Sequence, residues 1–166
     1  MSILLQGGRV VDVATSLDRV MDVLIDNGRM VAFGSEARAM PHQQVQNVSG
    51  CLILPAFVDL CASLREGEKQ HGSIASETKA AAKAGFAHVV LPPNSKLVID
   101  TAAIVAQILE KNQQANQVSV YPMGALTKGL DGKQPANMFA LSQAGCIAVT
   151  NARHGLANDE TLLRCL

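Results

Sequence analysis

The sequence predicts an α/β protein in two parts, a small β unit over residues 1–54 and four successive βα units over residues 55–166. In the first part, β-rich runs flank an Asn-Gly pair. In the second, β-rich runs alternate with Ala-rich helical ones, and the strands begin near Phe57, Phe86, Val118 and Cys146. These starts are 29, 32 and 28 residues apart, which is the length of one strand and its crossover helix.

The β unit contains a hairpin signal. The β-rich runs at residues 23–25 and 30–33 lie on either side of Asn27 and Gly28. An Asn-Gly pair in this setting favours a hairpin, because both residues tolerate the positive φ of a type I′ turn. We therefore predict that these two runs pair as antiparallel strands.

The helices of the second part follow from apolar spacing and from their end signals. Ser73 is the predicted cap of a helix that ends at Gly85 in the left-handed conformation, and its apolar face is Ile74, Thr78, Ala81 and Ala82. A second helix, capped by Asp100, has the stripe Ala102, Val105, Ala106 and Leu109. A last helix starts at Asn158 and Asp159.

Composition excludes several classes of function. The chain is 48% hydrophobic and 17% charged, which is typical of a folded domain with one good core. Lys plus Arg equals Asp plus Glu at 14 each and no basic run occurs, so we expect neither nucleic acid nor an anionic membrane as a partner. No apolar run approaches the roughly 18 residues of a membrane span.

The spacing and surroundings of the cysteines indicate the cellular compartment of the protein. None of the four forms a CxxC pair, and most lie in apolar segments: Cys51, Cys61, Cys146 and Cys165. This pattern favours buried thiols in a reducing environment over a disulfide framework. We therefore predict a cytoplasmic protein.

In a parallel α/β fold the catalytic and binding residues lie at the carboxyl ends of the strands. The residues with reactive or hydrogen-bonding side chains in those segments are Asp59, Arg65, Asn94, Lys128, Asp131, Asn151, Arg153 and His154. The defining residues of a dinucleotide fold, a P-loop and a hydrolase elbow do not occur. Cys61 as a nucleophile would need a histidine beside it, and the sequence does not bring one there.

Four stretches together resemble dihydroorotase of the amidohydrolase superfamily. They are "DVLIDNGRMVAFG", "LILPAFVDLCASLREG", "AAAKAGFAHVVLPPNSKLVID" and "GALTKGLDG". The resemblance implies a (β/α)8 TIM-type barrel with a small β-sandwich, and a zinc site that activates water to open a cyclic amide. Such a barrel needs about 250 residues. The chain would then be the N-terminal half of the barrel, preceded by a β-sandwich segment.

The resemblance also implies that the zinc ligands are lost. In active members the first barrel strand ends in Asp-x-His-x-His-x-Arg, and both histidines bind zinc. The same frame here runs from Asp59 to Arg65 and has Cys61 and Ser63 at the histidine positions. The strand-four motif, which carries a metal-bridging Asp in active members, reads "VTNARHG" and has Asn151 there. We therefore expect no metal cofactor, whereas active relatives use zinc.

Two positions of the family's substrate site are kept. Arg65 and Asn94 correspond to residues that hold the substrate carboxylate in active relatives, and a guanidinium suits that role. In the alternative interpretation, Arg65 pairs with Glu66 or Asp59 and Asn94 caps a turn. His71, His88 and His154 are interpreted as surface histidines rather than substitute ligands, and Lys128 and Asp131 as parts of a solvated loop.

Three hypotheses of function remain. The one we favour is a non-catalytic dihydroorotase-like subunit that supports aspartate carbamoyltransferase, as the resemblance to inactive members of the family implies. The second is a zinc-dependent cyclic amide hydrolase with relocated ligands, and the third is an unrelated small-molecule binding domain. Four βα units have open sheet edges, so we expect either that a separate piece or partner supplies the rest of the barrel or that the chain is a truncated product. We also expect the protein to be oligomeric.

Overall fold

The computed structural model describes residues 1–64 and 72–166. By their internal contacts these residues divide into two compact units, Met1–Pro55 and Ala56–Leu166. Arg65 and His71 lie outside the described residues.

The first unit is built around one five-stranded sheet. Its elements are β1 (Ser2–Asp12), β2 (Leu17–Asp26), β3 (Arg29–Phe33), α1 (Gly34–Ala39), β4 (Gln44–Asn47) and β5 (Leu52–Ile53). The order is β3-β2-β1-β4, and β5 also pairs with β1. The first three strands are antiparallel, whereas β4 and β5 run parallel to β1.

The predicted hairpin is confirmed. Strands β2 and β3 are joined at Asn27 and Gly28, whose φ angles are 49° and 76° as a type I′ turn requires. A small core joins this hairpin to β1 and α1 and consists of Leu4, Leu24, Ala32 and Ala37. The described strands of this unit form a single sheet, so the β-sandwich stays a prediction.

A buried carboxylate ties three parts of the first unit together. Asp22 on β2 is only 2% exposed. Its Oδ1 accepts a hydrogen bond from the backbone N–H of Gly7 at 2.9 Å, and its Oδ2 accepts one from Nε of Arg38 on α1. The hydrogen bond from Arg38 outweighs burial and holds the pKa of Asp22 below its usual value. The ionised carboxylate therefore stabilises the fold.

We predict that Asp22→Asn lowers the free energy of unfolding by about 2 kcal/mol at pH 7, because the charge-assisted bond from Arg38 is lost. The contribution of a carboxylate with a depressed pKa is present above its unfolded-state pKa and disappears as the pH falls through the folded-state value. The difference between wild type and variant in urea unfolding should therefore shrink in acid.

The matched control is Asp18→Asn, which removes an exposed carboxylate that Arg9 holds at 2.6 Å. Solvent screens this pair, so the loss of stability should be smaller. Equal losses at the two positions, or a difference at Asp22 that does not change with pH, would contradict the assignment.

The second unit is a parallel sheet with helical crossovers, as the sequence predicted. Its strands are β6 (Phe57–Asp59), β7 (Phe86–Leu91), β8 (Ser119–Ala125) and β9 (Ala148–Thr150), in the order β6-β7-β8-β9. Its helices are α2 (Ile74–Lys83), α3 (Ala102–Ala115), α4 (Met138–Gln143) and α5 (Asp159–Cys165), with a 3-10 turn at Lys128–Leu130. No helix in the described ranges has both the length and the apolar character of a membrane span.

The strands are staggered as in a barrel. Strand β8 pairs with β7 through its first residues, from Ser119 to Pro122, and with β9 through its last, from Met123 to Ala125. Successive strands of a closed barrel are displaced along one another in this way. The second unit thus has the geometry of a parallel half-barrel.

Helices cover one face of this sheet. The buried side chains between helices and strands are Leu64, Ile74, Val89, Leu91, Ile99, Val105, Ile108, Val118, Val120, Ala136 and Leu141. Gly124 lets α4 approach closely, since a Cβ there would lie 2.8 Å from Cδ1 of Leu141. This packing fixes the positions of the strand ends, and therefore the positions of the loops that follow them.

One of the two predicted helix caps, Ser73, is confirmed, and the last helix begins at Asp159 as predicted, with Asn158 as its cap. Ser73 accepts a hydrogen bond from Ser76 N at 3.3 Å, and Asn158 accepts one from Thr161 N at 2.8 Å. The prediction for Asp100 is wrong, because Thr101 directly precedes the first helical residue and caps α3. The carboxylate of Asp100 instead accepts a hydrogen bond from Gly129 N at 2.8 Å and so joins the loops after β7 and β8.

Candidate functional site

The first part of the candidate site follows β6. The backbone pairs with β7 beyond the strand, since Ala62 N donates to Val90 O at 2.9 Å. Ala62 and Leu64 pack against the core, whereas Cys61 and Ser63 between them are exposed. Cys61 and Ser63, the positions that the resemblance assigns to histidines, therefore project away from the core together, as the i, i+2 spacing predicted. The carboxylate of Asp59 accepts a hydrogen bond from Cys61 N at 2.9 Å.

The second part is the turn after β7. Pro92 and Pro93 are buried, and Asn94 after them is exposed. The amide of Asn94 makes no hydrogen bond to another residue within the described ranges, so it is open to solvent at the carboxyl end of the sheet. Arg65, its predicted partner in substrate binding, lies outside those ranges.

The third part is Asn151, which follows β9 and is buried. Its Oδ1 accepts hydrogen bonds from the hydroxyl of Thr127 at 2.7 Å and from the backbone N–H of Thr127 at 3.3 Å. Its Nδ2 donates to the carbonyl oxygens of His154 at 3.1 Å and Gly155 at 3.4 Å. The side chain thus uses both its acceptor and its donor group within the protein.

These bonds form a larger junction between the loops after β8 and β9, which we call the Asn151 junction. The Thr127 hydroxyl that donates to Asn151 also accepts from Gly132 N at 3.0 Å, and Ala157 N donates to Gly132 O at 2.8 Å. Thr127 has no exposed surface. A buried network in which every polar group has a partner is rigid, so the two loops form one unit.

The remaining candidates lie apart from these three positions or on the surface. Asp131 accepts a hydrogen bond from Lys133 N at 2.7 Å in an exposed loop, and Lys128 is exposed. Arg153 and His154 are exposed. His88 lies on β7, where its Nδ1 is 3.3 Å from the hydroxyl of Tyr121. The backbone carbonyl of His154 accepts from Asn151, but within the described ranges no side chain of these residues bonds to Cys61, Ser63 or Asn151.

Zinc, the ion that the resemblance implies, needs anionic or imidazole ligands. Cys61 offers one thiol, Ser63 offers a neutral hydroxyl, and the amide of Asn151 is taken up by its own hydrogen bonds. Across residues 1–64 and 72–166, no three His, Cys, Asp or Glu side chains lie close enough together to hold a metal ion. These positions therefore do not fit zinc.

Sequence reasoning identified Asn151 but missed what its side chain does. The carbonyl groups that accept from its amide are local, at His154 and Gly155, but its other partner, Thr127, lies 24 residues before it in the chain, and no local pattern relates these two residues. The sequence signal that could have related Thr127 to Asn151 is that each follows one of two neighbouring strands of the predicted fold. Thr127 lies two residues after β8 and Asn151 directly after β9, and the ends of neighbouring parallel strands meet at one edge of the sheet.

The comparison with known protein families agrees with this architecture. Residues 50–162 match the family described as dihydro-orotase-like. This chain belongs to the dihydroorotase-like family of the amidohydrolase superfamily. The family match covers the parallel half-barrel and includes Cys61, Ser63 and Asn151.

Whole-chain similarity to family members is clear. A protein of Pseudomonas aeruginosa named "Dihydroorotase-like protein" is 40% identical over the full chain, and a "Dihydroorotase" of Syntrophotalea carbinolica is 38% identical. The chain covers 40% and 39% of the length of these relatives. It therefore spans about two fifths of the curated relatives that it matches.

Solved structures share the fold. An L-hydantoinase (dihydropyrimidinase) from Arthrobacter aurescens matches 98% of the chain with a TM-score of 0.72 and 17% identity, over 37% of its own length. A dihydropyrimidinase from Brevibacillus agri matches the whole chain with a TM-score of 0.66 and 22% identity, also over 37% of its length. The β-sheet segment followed by a parallel half-barrel is thus a known part of amidohydrolase structures.

We predict that Asn151→Asp lowers the free energy of unfolding by about 2–3 kcal/mol, because a carboxylate cannot donate to the carbonyl groups of His154 and Gly155. Urea unfolding measures the loss. Asn94→Asp makes the same chemical change at an exposed amide and should alter stability by no more than about 0.5 kcal/mol. A stable Asn151→Asp variant would show that the Asn151 junction does not need the amide donor.

Proposed function

We propose that the chain acts in pyrimidine biosynthesis as a non-catalytic, dihydroorotase-like structural subunit of aspartate carbamoyltransferase. The observation that carries the non-catalytic part is the Asn151 junction. A position that carries a metal-bridging carboxylate in active members is here an amide whose oxygen and nitrogen are both engaged in holding two loops together. The side chain of Asn151 therefore stabilises the fold, and neither its oxygen nor its nitrogen is free to bind a metal ion.

The histidine positions support the same conclusion. Cys61 and Ser63 still project together from the end of the first barrel strand, but as a thiol and a hydroxyl they are a poor pair of zinc ligands. A metal-bound water becomes a nucleophile near neutral pH only when the ion is held firmly. The shape of this site is kept while its catalytic chemistry is lost.

A scaffold role follows from what is retained. The core of the half-barrel, the cap of α2 and the β2–β3 hairpin are intact, and chance decay would be expected to damage them along with the ligands. The family's inactive members, which the chain resembles, associate with aspartate carbamoyltransferase. We propose that enzyme as the partner and the cytoplasm as the place of assembly.

A zinc-dependent cyclic amide hydrolase with relocated ligands is the competing proposal. The name "Dihydroorotase" of relatives with 34–38% identity favours it. This function would require ligands other than the residues at positions 61, 63 and 151.

We predict that the purified chain holds no stoichiometric zinc after dialysis and does not hydrolyse dihydroorotate, because its three ligand positions do not fit the ion. Elemental analysis and a turnover assay with and without chelator test this. About one tightly held zinc per chain, or turnover that chelator abolishes, would favour the hydrolase.

The double variant Cys61→His, Ser63→His restores two imidazole groups at exposed positions. We expect it to remain inactive, because Asn151 stays committed to its hydrogen bonds and supplies no carboxylate. Substantial turnover in the double variant would show that Asn151 does not occupy the strand-four ligand position.

We predict that the chain co-purifies with aspartate carbamoyltransferase from the same cytoplasm and that the enzyme loses stability without it. A partner that binds only the folded state stabilises it by RT ln(1 + [L]/Kd), about 2.7 kcal/mol at a hundredfold excess over Kd. Size-exclusion chromatography and thermal unfolding of the enzyme, with and without the chain, measure both effects.

The control for that experiment is Asn94→Ala, which alters the retained substrate position. We expect the complex to survive it, since we assign Asn94 to the substrate side of the half-barrel and not to the subunit contact. If the carbamoyltransferase keeps the same size and stability when the chain is missing, the scaffold proposal is wrong.

A further inference from the structure

The tip of the β2–β3 hairpin carries two residues that can react with each other. Asn27 and Gly28 form the only Asn-Gly pair in the sequence, and both are exposed. Among the described residues, only its chain neighbours come within 4 Å of a Cβ placed on Gly28, and its backbone N–H makes no hydrogen bond. The backbone nitrogen of Gly28 is therefore accessible to a neighbouring electrophile.

The side-chain amide of Asn27 is held by two surface contacts. Its Oδ1 accepts a hydrogen bond from the N-terminal ammonium of Met1 at 3.1 Å, and its Nδ2 donates to Oδ2 of Asp26 at 3.4 Å. Both contacts are exposed to solvent, and polar contacts of this kind add little stability. The amide is therefore free to move whenever the tip of the hairpin opens.

We propose that Asn27 is a site of spontaneous deamidation, a modification that is independent of the function proposed above. The backbone nitrogen of Gly28 forms a bond to Cγ of Asn27, and the side-chain nitrogen leaves as ammonia with the proton of the Gly28 N–H. Water then opens the resulting succinimide at either of its two carbonyl carbons. The product at position 27 is aspartate or isoaspartate, and each adds a negative charge to the hairpin tip.

The conformation of the turn controls this reaction. The φ angles of 49° at Asn27 and 76° at Gly28 belong to a type I′ turn, in which the Gly28 nitrogen lies opposite Cβ of Asn27 about the Cα–C bond. Ring closure needs that nitrogen to rotate to the Cβ side. The reaction therefore proceeds from opened states of the tip, and exposed turns open at a low cost in free energy.

The two products have different consequences for the hairpin. An Asp-Gly pair favours the same turn as Asn-Gly, so the aspartate product keeps the pairing of β2 with β3. Isoaspartate runs the main chain through the side chain and lengthens a two-residue turn by one carbon atom. Leu24 pairs with Ala32 across the hairpin, and both belong to the small core of the first unit. A shift of register moves Ala32 out of that core.

The test follows the folded 166-residue chain over time in warm, mildly alkaline buffer. Peptide mapping by mass spectrometry measures the conversion of amide to carboxylate at each Asn. The control within the chain is Asn116, which is exposed and has a φ of 46° but is followed by Gln117. We expect conversion at Asn27 to be on the order of tenfold faster than at Asn116, because only glycine leaves the attacking nitrogen unhindered.

The same chain in urea is the positive control for the chemistry. Conversion at Asn27 should be faster there, since the turn no longer holds the Gly28 nitrogen away from Cγ. If Asn27 stays unmodified in the folded chain during a period that converts the unfolded chain, the proposal is wrong. Equal rates at Asn27 and Asn116 in the folded chain would also overturn it.

The variant Asn27→Gly removes the reacting amide and keeps the turn, because Gly-Gly also favours type I′. The gain of negative charge that ion exchange detects in the wild type should disappear in this variant, and its persistence would place the modification elsewhere. Ion exchange also separates the two products. Amides of β3 should exchange with solvent faster in the isoaspartate species than in the aspartate species, and equal protection would contradict the shift of register.

Discussion

The packing of helices against one face of the parallel sheet determines the rest of the second unit. Each strand is joined to the next by a crossover helix, so the strands can be parallel only if the helices return along a face of the sheet. Apolar side chains such as Val89, Val105 and Leu141 meet between these layers, and Gly124 admits α4 at close range. Because the helices are fixed there, all four strands end at one edge and bring their loops together.

At that edge the protein uses hydrogen bonds where the resemblance implies that active members use a metal. A bound ion would connect the ends of the first and fourth barrel strands through charged ligands. Here the loops after β8 and β9 are connected to each other by a neutral amide, a hydroxyl and backbone groups centred on Asn151 and Thr127. Within the described residues, the end of β6, with Cys61 and Ser63, is not part of this connection.

The two units use buried polar side chains in different ways. Asp22 keeps a full charge in the interior of the first unit because Arg38 and the backbone of Gly7 both donate to it. Asn151 is neutral, and it can satisfy backbone donors and acceptors at once because an amide has both groups. Each side chain is matched to its partners. An amide in place of Asp22 would leave one of its two donors without an acceptor, and a carboxylate in place of Asn151 would leave backbone carbonyl groups without a donor.

The sequence by itself determined the two-part organisation, the hairpin at Asn27 and Gly28, the four βα units and the chemical nature of the residues at the positions that the resemblance assigns to metal ligands. These features are set by local spacing, turn chemistry and the resemblance to a family. Only the tertiary structure decided that Thr101 rather than Asp100 caps α3 and that Asn151 is bound to Thr127. The reason is physical: such contacts join residues far apart in the chain, and which of several competent donors or acceptors forms the bond depends on where packing places the strand ends.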